Sequence, residues 1–413
     1  MKWADLIVQH KEEIALLDTI EMGKPIQAAL YDAETLAPLY LRAWAGFADK
    51  LLGASAPISG GTVAFNTYEP RGVVGAITPW NFPAVNMVYK CGPALAAGNA
   101  IVLKPSEIAP SSALKLAELS VEAGIPEGVL NVVPGLGTTA GAALALHPEV
   151  DILSFTGSTV TGRKIMELSG RSNGKPLLLE CGGKSPHIVF GDVSDLDNVA
   201  TAIVQSALAN SGQVCSAHTR LLVHEDIRDV LLEKVIRQAS EYQPGDPLDE
   251  MTTFGPVASP GQRDRVRSYI EQGLKDGAVA ALKGRIQDTG GCYISPTIFV
   301  HVESRMSIVR DEIFGPVLCV QEFKTEEEAI SLANSTTYGL GATVWTRDIG
   351  RGNRLARAIK VGSVIVQTSG PTGEFSGCML GFEPRKSTGF GTEIGLQGLQ
   401  SYSTLKAVYF MGA

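Results

Sequence analysis

Apolar residues fall in short runs, and amphipathic stretches with three-and-four spacing lie between them. Strands are expected over 72–78, 99–103, 129–133, 152–155 and 177–179, and helices over 111–123, 138–146 and 160–169. Ser111 or Ser112 supplies a helix N-cap and Gly124 its stop. A second series begins near His187, with strands over 187–190, 219–224, 294–302, 317–323 and 342–346. Its helices are expected over 195–209, 226–240, 325–334 and 349–359. Strand–helix alternation predicts an α/β fold with mostly parallel sheets and helices on both faces. Val63 and Phe65 alternate with Thr62, Ala64 and Asn66 as in a hairpin, and the tail over 399–410 reads as extended. No Ser/Gly linker, low-complexity tract or internal repeat divides the two series.

Totals change this picture little. The chain of 413 residues is long enough for two or three domains, with 45% hydrophobic and 19% charged residues. Its 45 glycines exceed the usual share and fit many tight strand–helix turns. A net charge of −8 argues against nucleic acid or an anionic membrane as the main partner. The N-terminus is charged and helix-like, without the apolar core of a secretory signal. The apolar stretch over 73–103 is interrupted by Asn81, Lys90 and three prolines, too broken to cross a bilayer. Cys91, Cys181, Cys215, Cys292, Cys319 and Cys378 show neither paired nor metal-like spacing, so no metal site and a reduced, cytoplasmic compartment are expected.

One cysteine stands apart. Cys215 follows Asn210-Ser211-Gly212-Gln213-Val214, framed by small polar residues, and Glu180 lies upstream on a glycine-rich turn, Glu180-Cys181-Gly182-Gly183-Lys184. A thiol is a ready nucleophile for a carbonyl carbon, and a carboxylate can activate the water that later releases the acyl group. Alone, such a pair is far more often a packed small hydrophobe and an unrelated surface Glu, and the other motifs reverse those odds. A Cys–His hydrolase is the competing chemistry, but His218 is too close in sequence to serve Cys215.

Other segments add weight. Phe155-Thr156-Gly157-Ser158-Thr159 ends a strand and opens a helix, where Gly157 and Ser158 offer donors to an anion or merely cap the helix. Lys104 and Glu107 follow another strand's carboxyl end, the usual ligand edge of an open α/β sheet. In Pro79-Trp80-Asn81-Phe82-Pro83, prolines fix the backbone around Asn81, whose amide can donate to an oxyanion. Gly135-Leu136-Gly137-Thr138-Thr139-Ala140-Gly141 lacks the third glycine of a dinucleotide fingerprint and reads as a plain turn.

Together these segments resemble the aldehyde dehydrogenase superfamily over nearly the whole chain. Gly92-Pro93-Ala94-Leu95-Ala96-Ala97-Gly98-Asn99 and Glu312-Ile313-Phe314-Gly315-Pro316-Val317 also carry the resemblance, which looks closest to the betaine-aldehyde and general NAD-linked branch. It implies a Rossmann-like NAD-binding domain over 1–53 and 70–182, a catalytic domain over 183–398, and a small β arm for oligomerisation over 54–69 and 399–413. It implies an aldehyde substrate oxidised through a Cys215 thioester, with Asn81 at the oxyanion and Glu180 activating water. Lys104 and Glu107 would meet the adenosine ribose, Gly157 and Ser158 the pyrophosphate, Glu312 the nicotinamide ribose, and Trp80 and Phe314 the cofactor site's borders. Lys104 is also counted with the catalytic residues.

NAD is expected over NADP, because a 2′-phosphate would face the Glu107 carboxylate. A homodimer or homotetramer is implied. The chain departs from the family pattern in four places. Most of the leading segment is absent. Cys181 replaces Leu beside Glu180, which suggests that its sulfur approaches Cys215 closely enough for a disulfide. Gln367 replaces Asn, and the loop Met379-Leu380-Gly381-Phe382-Glu383-Pro384-Arg385-Lys386-Ser387-Thr388-Gly389 diverges where the family walls its substrate tunnel. The alternative is a truncated, inactive homologue with a structural or interaction role.

Overall fold

The structure, a computed structural model, describes residues 1–58, 62–287, 290–368 and 380–411. Three main sheets organise them. The first runs in the order Gly389–Phe390, Leu177–Glu180, Ile152–Thr156, Val73–Ile77, Ala100–Lys104, Leu130–Val132. Its pairs are parallel except Gly389–Phe390, which adds antiparallel to the edge. The chain leaves Val73–Ile77 in one direction and returns with Ile152–Thr156 on its other side. That reversal opens a crevice at the carboxyl ends of these two strands.

The second sheet runs Val279–Leu282, Thr297–Val300, Val317–Phe323, Arg220–His224, Pro186–Val189, Gly341–Trp345, Ser363–Gln367, parallel apart from Val279–Leu282. Buried Ile, Leu and Val side chains pack its helices onto both faces. The third sheet is antiparallel and joins Ser55–Pro57, Val63–Pro70 and Ser403–Phe410.

Most expected strands and helices lie where the apolar pattern places them. The differences have local causes. Residues 137–141 form a π turn before the helix Ala142–Leu146, not one regular helix. The tail is not extended throughout, because Gly395–Ser401 is a helix and the strand begins at Ser403. Helix Pro83–Ala96 is almost wholly buried, so no amphipathic period marks it, and Gly92 and Pro93 disguise it further. Gly92 is needed there, since a Cβ would meet the Trp44 ring at 2.3 Å. Helix Pro260–Lys275 is mostly polar. It buries only Val266, Ile270 and Gly273, behind a Ser259 cap. Of the divergent loop, 380–389 is described. Residues 369–379, with Cys378 and Met379, and residues 412–413 lie outside the described residues.

Candidate active site

The carboxyl edge of the first sheet faces segments that lead into the strands of the second. Trp80 and Asn81 follow Val73–Ile77, Gly157 and Ser158 follow Ile152–Thr156, and Glu180 ends Leu177–Glu180. From the other side, Cys215 lies five residues before Arg220–His224, and Glu312 and Phe314 lie just before Val317–Phe323. Between them is a continuous cavity of about 790 Å³, lined by all eight of these residues. Lys104 and Glu107 are not among its lining residues. They sit at the next strand end, ion-paired to each other at 2.8 Å, with Lys104 buried and Glu107 half-exposed.

The Cys215 loop carries backbone strain, sustained by the contacts around it. Asn210, Ser211 and Gly212 take φ of 48°, 57° and 75°, three left-handed residues in succession. At Gly212 a Cβ would strike the Gly315 carbonyl at 2.2 Å, so only glycine lets the two loops meet. Gln213 ties the loop down: its amide donates to Asn210 O at 3.0 Å and its oxygen accepts from Ala258 N at 2.9 Å. Asn81 Nδ2 donates to Gln213 O at 2.9 Å, and Asn210 Nδ2 donates to Asn81 O at 2.9 Å. The candidate oxyanion donor is thus locked to the nucleophile's own segment.

Glycines also bring the Glu180 turn close. A Cβ on Gly182 would meet Glu312 Oε2 at 2.1 Å, and one on Gly183 would meet Cys215 O at 2.4 Å. Glu312 accepts from Gly183 N at 3.1 Å. Thr388, from the divergent loop, clamps the same turn: its hydroxyl donates to Gly182 O at 2.9 Å and its carbonyl accepts from Cys181 N at 2.7 Å. Sequence reading passes over Thr388, whose role depends on residues 206 positions away.

Charge in this cavity favours bound protons. Burial, then Glu180 and Glu312, pushes the Cys215 thiol up to about 12, against the pull of the backbone N–H groups of Ser216 and Cys215. Burial thus favours the protonated thiol at rest. Burial, then the nearby Glu393 carboxylate, raises Glu180 above the ordinary carboxylate range, opposed by Lys90. Burial also lifts Glu312, to about 7. Glu393 accepts from Lys90 Nζ at 2.7 Å on both carboxylate oxygens and from the Ser154 hydroxyl, all three groups being buried. Sequence reading omits this network. Its one signal is Lys90 itself, a lone cation in an apolar helix that demands a buried counter-charge.

Cys181 turns away from the site. It packs with Ile77, Phe155 and Leu179, close enough to Gly162 that a Cβ there would lie 2.8 Å from its sulfur. It does not line the cavity, and burial pushes its thiol up to about 12. In a strand the side chain after Glu180 points to the opposite face, which corrects the expected approach to Cys215.

The first sheet's edge has what a dinucleotide requires. Helix Thr159–Gly170 starts at the crevice, so its N-terminal dipole end faces the cavity, and Ser158 Oγ caps it by accepting from Thr161 N at 3.2 Å. Trp80 and Phe314 pack edge to face at 5.4 Å on the cavity wall. Phe314 has φ 62° and is held by Gln262 Nε2, which donates to its carbonyl at 2.6 Å. Arg265 Nη2 donates to Glu312 O at 2.6 Å. Both clamps come from helix Pro260–Lys275, which the sequence pattern does not reveal. Among the described residues, no group of three His, Cys, Asp or Glu side chains is placed to hold a metal, and no helix is long and apolar enough to cross a membrane.

Comparison with known proteins agrees with this geometry. The sequence matches the aldehyde dehydrogenase family over residues 1–408. It is 45% identical over 408 residues to the NADP/NAD-dependent aldehyde dehydrogenase PuuC of Escherichia coli, covering 99% of this chain and 81% of that protein. The human mitochondrial aldehyde dehydrogenase is 41% identical over 406 residues, covering 98% and 77%. Among solved structures, the aldehyde dehydrogenase KauB of Pseudomonas aeruginosa superposes with a TM-score of 0.94 at 45% identity, covering 99% of this chain and 82% of that one. An indole-3-acetaldehyde dehydrogenase complexed with NAD+ gives 0.93 at 45% identity with the same coverage. Chemistry, topology and similarity converge: the chain belongs to the aldehyde dehydrogenase family of NAD(P)-dependent oxidoreductases.

Proposed function

We propose that the protein oxidises an aldehyde to its carboxylic acid through a covalent thioester on Cys215. The observation that supports this best is the convergence of Cys215, Glu180 and Asn81 on one cavity beside a cofactor-shaped edge. The thiol adds to the carbonyl carbon and passes its proton to a base, giving a thiohemiacetal. Asn81 Nδ2 and the Cys215 N–H hold the oxyanion. Bound NAD+ supplies the hydride acceptor that makes the oxidation possible. Glu180 takes a proton from water, which attacks the thioester and returns Cys215 as a thiol. Gly157 and Ser158 would hold the pyrophosphate of NAD, Glu312 its nicotinamide ribose, and Trp80 and Phe314 would border its site. Lys104 and Glu107, at the next strand end, would hold the adenosine ribose. Their ion pair holds Glu107 below its ordinary range, although burial opposes this, so a carboxylate faces any 2′-phosphate. This supports NAD over NADP.

We assign an NAD-binding domain to residues 1–53 and 70–182, which also carries Asn81 and Glu180, a catalytic domain with Cys215 to 183–398, and oligomer contacts to 54–69 and 399–413. The third sheet supports the last assignment: it exposes Phe65 and Phe410, stacked on one face, and Leu405 and Tyr409 on the other, apolar surface suited to a second copy in a homodimer or homotetramer.

Glu180→Gln tests the mechanism. With NAD and aldehyde it should release at most one NADH per site and then stall with Cys215 acylated, because general-base catalysis is worth about 10²–10⁴-fold. Cys215→Ala should show no burst. Wild-type steady turnover by Glu180→Gln would remove Glu180 as the base. A higher kcat/KM with NADP than with NAD would overturn the cofactor preference. Failure of the folded protein to form NADH with any aldehyde would favour the inactive-homologue reading.

A further inference from the structure

The cavity wall away from the cofactor edge is built by two helical segments. Phe82, the N-cap of Pro83–Ala96, and Val85, Asn86 and Tyr89 follow three-and-four spacing and line the cavity. Leu36 and Tyr40, four residues apart, line it from the π turn Asp32–Leu36 and helix Ala37–Phe47. Tyr40 and Tyr89 meet edge to face at 5.3 Å. None of the six carries charge near neutral pH: burial, followed by the neighbouring Glu180 and Glu393, holds the Tyr89 hydroxyl protonated well past its usual range. Asn86 Nδ2 is engaged with Phe82 O at 3.1 Å.

Charged partners for a substrate tail are scarce. Among the described lining residues other than tyrosines and Cys215, the ionisable ones are Glu180, Glu312, Arg265 and His218. Glu312 and Arg265 are engaged at the cofactor edge. His218 is held between Ser206 at 2.9 Å and Thr343 at 3.0 Å, and burial keeps it neutral by lowering it to about 4. Glu180 belongs to the reacting centre.

A cation already serves the Phe82 ring. Lys24 Nζ sits 3.7 Å from its centroid, is paired with Asp32, and is 1% exposed without lining the cavity. The Phe82 ring is thus already engaged with one ammonium, which weakens cation–π binding of a second.

We infer that this pocket selects aldehydes with uncharged aryl-alkyl or aliphatic tails and discriminates against ω-ammonium aldehydes. The inference rests on the proposed aldehyde oxidation at Cys215. Among the described residues an ammonium against this wall loses its hydration without a carboxylate partner outside the reacting centre and the cofactor edge, so a preference of at least tenfold is expected. The test compares kcat/KM for 3-phenylpropanal and 4-aminobutanal with NAD at pH 7.5. The neutral aldehyde should win by tenfold or more, and Asn86→Asp, which adds a wall carboxylate, should narrow the ratio at least fivefold. Equal or better use of 4-aminobutanal, or an unchanged ratio in Asn86→Asp, overturns the inference while leaving the oxidation intact. A second readout needs no turnover: 3-phenylpropanol should protect Cys215 from iodoacetamide at a concentration at least tenfold below that of 4-aminobutanol. Equal protection by the two alcohols overturns it independently of catalysis.

Discussion

Gly183→Ala should disable the site while leaving the fold in place. Gly183 has no left-handed φ, so alanine is allowed by the backbone and only space decides its effect. Its Cβ would lie 2.4 Å from Cys215 O, where real Cβ contacts essentially never fall below 3.0 Å. The gap must open by about 0.6 Å to reach that limit and by about 1 Å to reach ordinary contact. Neither partner yields easily. The turn is clamped by Thr388 and Glu312, and the Cys215 peptide by the left-handed turn at Asn210–Gly212 and by Gln213. A displacement near 1 Å at the reacting centre costs on the order of 10²-fold in rate, and overpacking costs roughly 1–3 kcal/mol in stability. A rapid-mixing measurement of the first NADH turnover, beside a urea melt, separates the two effects. Gly170→Ala is the control, since no heavy atom lies within 4 Å of its Cβ position. A folded Gly183→Ala enzyme with a burst rate within threefold of wild type would refute the reasoning.

Two further outcomes are expected. The Glu180 carboxyl is raised by burial and then by Glu393, and its basic form grows as pH rises. Decay of preformed acyl-enzyme should therefore accelerate with pH, inflecting well above the usual Glu range near roughly 4.3, and Glu180→Gln should give a flat profile. An inflection at the ordinary carboxylate value contradicts the assignment. Lys90→Met leaves Glu393 buried without its cation, so urea unfolding should show a loss of about 3–5 kcal/mol, with more than half recovered when Glu393→Gln is added. A loss under about 1 kcal/mol would show that the pair is not holding the core together.

How much of this the sequence reveals depends on distance along the chain. Strands such as Ala100–Lys104 and Ile152–Thr156 are short apolar runs bounded by Gly, Pro or Asn, and local pattern suffices for them. Cys215, Glu180 and Asn81 are legible because their chemistry is rare in such settings and they recur with other motifs. Glu393 and Thr388 are not. Each acts on a turn or cation encoded hundreds of residues earlier, and neither lies in a periodic segment. Helix Pro83–Ala96 is hidden by uniform burial, and helix Pro260–Lys275 by a mostly polar composition. The misjudged Cys181 is a question of parity: one residue along a strand is the other face of the sheet.

The raised proton affinities at Cys215 and Glu180 share a cause, burial, and bear on the same proposed step. A thiol at about 12 would need about 7 kcal/mol to stand as a free thiolate at pH 7, a large part of an ordinary catalytic barrier. The same burial that opposes the thiolate also opposes a Glu180 carboxylate, with Glu393 adding to it, so Glu180 is a stronger base than an exposed glutamate. Once Glu180 is ionised, moving the thiol proton to it costs less than losing that proton to water, provided the carbonyl carbon arrives as the sulfur's charge forms and Asn81 receives the oxyanion in the proposed step. Lys90 sets the balance from behind: it anchors Glu393 and limits how far Glu180 is raised. The glycines at 182, 183 and 212 let these groups approach from two different sheets, and the contacts of Gln213, Glu312 and Thr388 hold the turns there despite the left-handed strain before Cys215.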